Sequence, residues 1–385
     1  MNRKQFIVLL VLVAVIGAAG LIIHRRSSQS WQSAGATIGQ KLLPSLAVND
    51  VAQIIIQSGT NVLNLAKRDA LWRVAERGNY PADFSQISSL LLKLANLKIV
   101  QTDEVGPSQL GRFDLLPAGA EKNSGTLVTF KDESGKTLDT LLLGKTHMSK
   151  PAGNSQAGGM GDEGWPDGRY VMTGAGGKIV DVISDPLDNV QPQPAQWLNK
   201  EFLSIEKPRL IEAQFPAATN SWKLTRTSET NDWQLADAKP GEKLDPSKIS
   251  SVTSPFSSPS FNDVAPLKPG SATNRTVLTV KTFDGFTYVA DIAPEQDDNY
   301  PVRFTIAANL PAARPAAKDE KPADKAKLDQ EFQEQQARLT KKLAKDKQFE
   351  NWVYFLPSYS VDEILKDRGQ LLAEVKTNEV SKAVK

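Results

Sequence analysis

Asp83-Phe84-Ser85-Gln86-Ile87-Ser88-Ser89 returns later in the chain as Asp245-Pro246-Ser247-Lys248-Ile249-Ser250-Ser251, with Asp, Ser, Ile, Ser and Ser in the same five places. In each copy the aspartate stands where a helix N-cap belongs, its carboxylate able to accept the free amides of the first turn. Pro246 suits the first helical position, where the missing N–H has no partner in any case. Behind the first cap, Ile87, Leu90, Leu91, Leu94 and Leu97 form one apolar helix face. Behind the second, Pro255 and Pro259 permit only a short turn.

The surroundings of the two stretches match as well. Ile54-Ile55-Ile56 and Leu210-Ile211 open the copies with strand-like runs, and each copy then reaches a tryptophan, in Leu71-Trp72-Arg73-Val74 and Trp233-Gln234-Leu235. Apolar and polar residues alternate across short polar turns, the pattern of half-buried hairpins. Leu127-Val128-Thr129-Phe130-Lys131 with Ser134-Gly135 matches Val277-Leu278-Thr279-Val280-Lys281 with Asp284-Gly285, and Asp-Gly between alternating strands is a strong hairpin signal. Further strands follow at Arg169–Met172 and Arg303–Ile306, then at Ile179–Ile183 and Trp352–Leu356. This order of landmarks reads as a duplicated module. Trp72 and Trp233, on alternating strands in equivalent places, read as core residues.

The chain of 385 residues has room for two such modules. Its net charge of +2, with acids and bases interspersed, supplies no basic field for nucleic acid. Zero cysteines exclude disulfides, thiolate zinc sites and cysteine nucleophiles.

Residues 6–23 are an uninterrupted apolar run of eighteen. At about 1.5 Å per residue such a run just spans a hydrocarbon core of roughly 30 Å. The expected organisation is a cytoplasmic N-terminus at 1–5, a transmembrane anchor at 6–23 and a linker at 24–47. Module one then covers 48–206, and module two covers 207–385 with a helical insertion at 311–350. The fold class is read as α+β: an N-terminal transmembrane helix, then two tandem modules of antiparallel sheet with one or two helices each. The bulk is expected outside the cytoplasm, held at the inner membrane.

Chemistry is thin. His24 and His147 are the two histidines, and no Gly-x-Ser-x-Gly elbow accompanies either. The glycine-rich stretch 149–168 lacks the Gly-Lys-Ser/Thr ending of a P-loop. Asp162, Glu163 and Asp167 are oxygen donors without EF-hand spacing. No catalytic residue, cofactor or metal is expected. Trp165 in that stretch is a candidate partner contact, because exposed loops commonly carry binding. So is the narrow stripe Leu328, Phe332, Leu339 and Leu343 on the Lys/Glu-rich insertion, which has the look of a projecting helix or short coiled-coil seam.

Leu71-Trp72-Arg73-Val74, Pro81-Ala82-Asp83 with Ile87, the leucine-rich helix and the closing apolar strand together resemble the bacterial family 4340 of domains of unknown function. The resemblance implies tandem copies behind a single anchor. It also implies a setting beside ABC-type transport systems, including those named for gliding motility. The anchor, the duplication and the empty catalytic inventory lead to the expectation of a non-enzymatic envelope accessory protein, and the resemblance points to an envelope partner such as ABC transporter subunits. The alternative is a binding module for an envelope polymer or glycan through exposed aromatics such as Trp165. A carboxylate-dependent hydrolase is the third reading, and it would need two acidic side chains about 5–10 Å apart.

Overall fold

The computed structural model describes residues 38–119, 122–149, 165–174, 178–268, 273–314 and 320–374. The chain divides into two compact units, Met1–Asn199 and Lys200–Lys385.

In the first unit, strands β1 (Gln53–Ser58), β2 (Asn61–Arg68), β3 (Leu71–Val74) and β4 (Tyr80–Pro81) form an antiparallel meander. Helix α1 (Phe84–Asn96) follows, opened by Asp83, which accepts a hydrogen bond from the Gln86 amide at 3.1 Å. Then come β5 (Ile99–Glu104), β6 (Thr126–Lys131), β7 (Thr137–Ser149), β8 (Trp165–Thr173) and β9 (Ile179–Ile183). They assemble one sheet in the order β4-β3-β2-β1-β6-β7-β8-β9-β5. Ile54, Ile56, Leu63, Leu65, Val128 and Phe130 are fully buried on one face, and Ile87, Leu90, Leu91 and Leu94 of α1 are buried with them.

The second face has its own cover. Val105, Leu110, Phe113 and Leu115 pack with Leu127, Leu142, Tyr170, Met172 and Val180 into a smaller core. This explains why Leu141, Leu142 and Leu143 are all buried, as befits a strand covered on both sides. The covering segment lies so close that a Cβ at Gly144 would collide with the Phe113 carbonyl oxygen.

The second unit contains β10 (Pro208–Gln214), β11 (Trp222–Thr225), β12 (Gln234–Leu235), the short helix α2 (Pro246–Ile249), β13 (Asp263–Pro266), β14 (Thr276–Thr282), β15 (Phe286–Ile292), β16 (Asn299–Ala308), α3 (Pro322–Asp346), β17 (Trp352–Pro357) and α4 (Ser358–Asp362). Its sheet runs β12-β11-β10-β14-β15-β16-β17-β13. Strand for strand this is the order of the first sheet, with nothing in the place of β4. The core is aromatic: Phe202, Phe261, Phe304, Phe349 and Tyr354 meet with ring centroids 4.5–6.2 Å apart. Trp222 is buried and donates its indole N–H to the Lys366 carbonyl at 2.7 Å. Trp233 is only half-buried, beneath the Arg226 guanidinium at 4.8 Å, so the core tryptophan of this unit is not the one expected.

The α+β reading is corrected. The described residues form two large antiparallel sheets with few helices. Sheet outweighs helix because short strands without a long alternating signature (Tyr80–Pro81, Ile99–Glu104, Asp263–Pro266) extend the sheets, and two of the three helices of the second unit are only four and five residues long. The transmembrane helix expected at 6–23 finds no support. Those residues lie outside the described ones, and no helix among the described residues is long and apolar enough to cross a membrane.

Two carboxylates give opposite pH signatures. Arg368, buried, forks onto Glu242 at 2.7 and 3.2 Å and also binds the Asp237 carboxylate at 2.9 Å. The Arg368 hydrogen bonds, then the Lys239 amide, hold the Glu242 carboxyl at about 2, against an ordinary value of 4.5. The stability this contributes is complete above pH 4.5 and is lost as pH falls toward 2. Glu242→Gln is therefore expected to flatten the acid limb of the second unit's stability curve between those values, measured by urea unfolding at stepped pH. Asp181 is buried in β9 and accepts from the Thr102 hydroxyl at 2.8 Å, and burial raises its pKa above 3.8. Here folding favours the protonated form, so the contribution is complete below 3.8 and is lost as pH rises. Asp181→Asn is expected to be more stable than the parent chain at pH 7, with the advantage shrinking toward pH 4 in the same assay.

Candidate functional site

The two units differ most in what they add to the shared sheet. In the second unit, β15 and β16 are joined by residues 293–298, with the Ala293 amide donating to the Pro301 carbonyl at 2.9 Å. In the first, β7 and β8 run on past their neighbours. β6 pairs with β7 from Thr137 to Leu143, and β9 pairs with β8 only from Arg169 to Val171. Beyond those points Thr146–Ser149 and Trp165–Arg169 continue as a two-stranded ribbon, with an extra residue on the β8 side between His147 and Met148. Gly168 marks its base, since a Cβ there would collide with the Ile183 carbonyl oxygen.

One face of this ribbon carries a row of functional side chains. The Phe113 and Tyr170 rings lie 4.8 Å apart, and the Lys145 ammonium sits 5.6 and 5.8 Å from their centroids. The edge of the His147 ring meets Tyr170 at 5.3 Å. His147 Nδ1 is 2.6 Å from an Asp167 carboxylate oxygen. Ser149 pairs with Trp165 and donates its hydroxyl to the Trp165 carbonyl at 3.1 Å. Residues two apart on a strand share a face, and so do paired residues, which sets Trp165 on the side of His147. The indole is 71% exposed. Burial raises the Tyr170 pKa first, and the Asp103 and Asp167 carboxylates raise it further.

With Nδ1 held by a carboxylate, an imidazole offers Nε2 outward, but the Ser149 hydroxyl is spent on a backbone carbonyl. Among the described residues no group of three or more His, Asp or Glu side chains is placed to hold a metal. An acidic cleft elsewhere in the unit is lined by Asp50, Asp69, Asp132 and Glu133 with Lys67. There Asp132 is committed to its own turn, accepting from the Ser134 hydroxyl at 2.7 Å and the Lys136 amide at 3.0 Å.

The remaining sequence candidates sit on α3. Leu339 is buried, Phe332 and Leu343 are half-buried, and Leu328 alone of the four is 38% exposed. The helix end is tied to its own sheet: the Tyr288 hydroxyl donates to Asp346 at 2.7 Å, and Lys342 reaches the same carboxylate oxygen at 3.1 Å and the Ser204 carbonyl at 3.0 Å. Most of the stripe is thus spent within the second unit, while Trp165 remains open. Sequence reasoning named Trp165, and singled out His147 and Asp167 separately without joining them, because they meet across a hairpin with no spacing rule to announce the pair. Asp162 and Glu163 lie outside the described residues.

Comparison with known proteins adds one result. No curated protein and no solved structure matches the chain. Residues 72–152, which run from β3 through α1, β5, β6 and β7 into the ribbon, match a family known as Domain of unknown function (DUF4340).

Proposed function

We propose that this chain is a non-enzymatic accessory protein of the cell envelope, built by duplication of one sheet module. The β7–β8 ribbon holds an envelope component beside an ABC-type transport complex. The ribbon carries the reading. The second unit completes the same strand order without one, so the fold does not require it, yet it bears the most exposed tryptophan of the described chain. A large exposed aromatic on a rigid paired strand is what recognition surfaces use.

The strand orders support duplication, because order is kept through eight strands while the connections diverge. The resemblance in context to transport accessories supports the choice of complex. The geometry of the ribbon, with its hydroxyl and imidazole tied to neighbouring groups, supports binding over catalysis.

The test replaces residues 146–168 by an Asn-Gly turn, the connection that best suits a two-residue hairpin. In the full-length protein the far-UV circular dichroism and unfolding transitions are expected to persist. In-cell crosslinking is expected to lose the envelope component and the transport subunits recovered with the parent chain. Recovery of the same crosslinked set from the shortened protein would overturn the proposal.

A further inference from the structure

We infer that the ribbon face bearing Trp165, His147, Asp167, Tyr170 and Lys145 is a binding site for a neutral saccharide chain. This rests on the ribbon being the protein's contact surface, and goes further by assigning the chemistry of what it contacts.

A sugar ring is amphipathic in a particular way. Its C–H faces are apolar and its rim is a belt of hydroxyl groups, each both donor and acceptor. A flat aromatic side chain takes the first through dispersion and weak C–H contacts. Carboxylates, imidazoles and phenols take the second. The ribbon offers both on one face. The Trp165 indole is an open plate whose backbone is fixed by pairing with Ser149 and by the Ser149 hydroxyl. Asp167 and His147, joined at 2.6 Å, stand next along the face and present an acceptor and a ring nitrogen together. Tyr170 and Lys145 follow at the base. From Trp165 to Tyr170 the strand covers roughly 15 Å at about 3.3 Å per residue, a length that fits several linked rings rather than one.

The other occupants fit less well. An apolar peptide or acyl chain would need a continuous apolar patch, and here the hydrogen-bonded pair His147–Asp167 and Lys145 interrupt the aromatics. A phosphate-rich or acidic polymer would need a positive field. Here the Asp167 carboxylate lies on the face itself, and the Tyr170 pKa is raised first by burial and then by Asp103 and Asp167. Arg169, the chain neighbour of Tyr170, has its guanidinium committed to the carbonyls of Gly144, Pro186 and Leu187. A neutral, hydroxyl-rich chain meets no such penalty.

The experiment uses the full-length protein in detergent with 15N-labelled tryptophan, whose seven indole N–H groups are followed by NMR. The Trp165 signal is identified by its loss in Trp165→Phe. The probes are cellotetraose and N-acetylchitotetraose, with inorganic polyphosphate as the anionic comparison. Either neutral tetramer is expected to shift the Trp165 signal saturably, with a Kd on the order of 1 mM or tighter, and to leave the other indoles in place. His147→Gln is expected to weaken the Trp165 titration at least tenfold while the remaining indole signals keep their positions, which reports an intact fold. A Trp165 signal unmoved by both tetramers, or moved by polyphosphate alone, overturns the saccharide assignment. A photocrosslinker placed at position 165 then separates the two levels. Capture of a transport subunit without any tetramer shift keeps the accessory reading and rejects the saccharide, and absence of both results rejects the two together.

Discussion

Everything in each unit hangs on one long-range pairing. β1–β4 form a meander from neighbouring residues, and so do β6–β9 once β6 exists. What joins the two halves is β1 against β6, with Ile54 opposite Phe130 and Ile56 opposite Val128. The second unit repeats this with β10 against β14, Ile211 opposite Val280 and Ala213 opposite Leu278. Between the joined strands lie α1 or α2 and the edge strand β5 or β13, which must be set aside while the seam closes. Loop-closure entropy opposes that step, and the seam answers with side chains that are buried almost completely on one face. Burial of an aliphatic or aromatic side chain is worth about 1.5–3 kcal/mol, so a few such pairs exceed the slowly growing cost of a long loop. The edge strand pairs with β9 or β17, at the end of the sheet away from the first meander.

That hierarchy explains which features were legible in the sequence. Asp83 and Asp245 announce their caps because the hydrogen bonds run two or three residues along the chain, to Gln86 and Ser247. The hairpins β6–β7 and β14–β15 announce themselves through alternation and a Gly-containing turn. The edge strands β5 and β13 do not, since their side chains answer to a neighbour far away in sequence. The balance of sheet over helix was misjudged for that reason. The same holds for the tryptophans. Trp233 follows a turn much as Trp72 does, yet Trp222 takes the core place because the Lys366 carbonyl, supplied by the chain's last segment, satisfies its indole N–H. Position within a repeat pattern does not reveal such a partner.

At the candidate site legibility was partial. An exposed tryptophan beside glycines is visible as composition, and Trp165 is one. The pairing of His147 with Asp167 depends on a one-residue irregularity in the register of β7 against β8, which no periodicity encodes. The stripe on α3 shows the converse case. Leu328, Phe332, Leu339 and Leu343 have the spacing of a seam, and the sequence alone leaves open whether a partner or the parent domain fills it. The buried contact of Tyr288 with Asp346 resolves this toward the parent domain at the helix's C-terminal end. Burial and the Asp346 carboxylate hold the Tyr288 hydroxyl protonated far above its ordinary range, so it remains a donor at any physiological pH.

A ribbon that leaves its sheet usually loses rigidity, and a flexible aromatic would surrender affinity to the entropy of ordering it. Two glycines counter this at the base. At Gly144 the covering segment passes with its Phe113 carbonyl against β7, and at Gly168 the Ile183 carbonyl at the end of β9 sits against β8. Each strand is therefore pressed by a backbone from outside the ribbon at the level where sheet pairing ends. The same close approach at Gly144 delivers the Phe113 ring to Tyr170 and Lys145, which start the row that His147, Asp167 and Trp165 continue. Glycine serves here by having no side chain to keep the clamp away. Among its described residues the second unit shows neither the covering segment nor the extended strands, so its β15–β16 hairpin ends where the sheet ends, and its own addition, α3, folds back onto the core it extends.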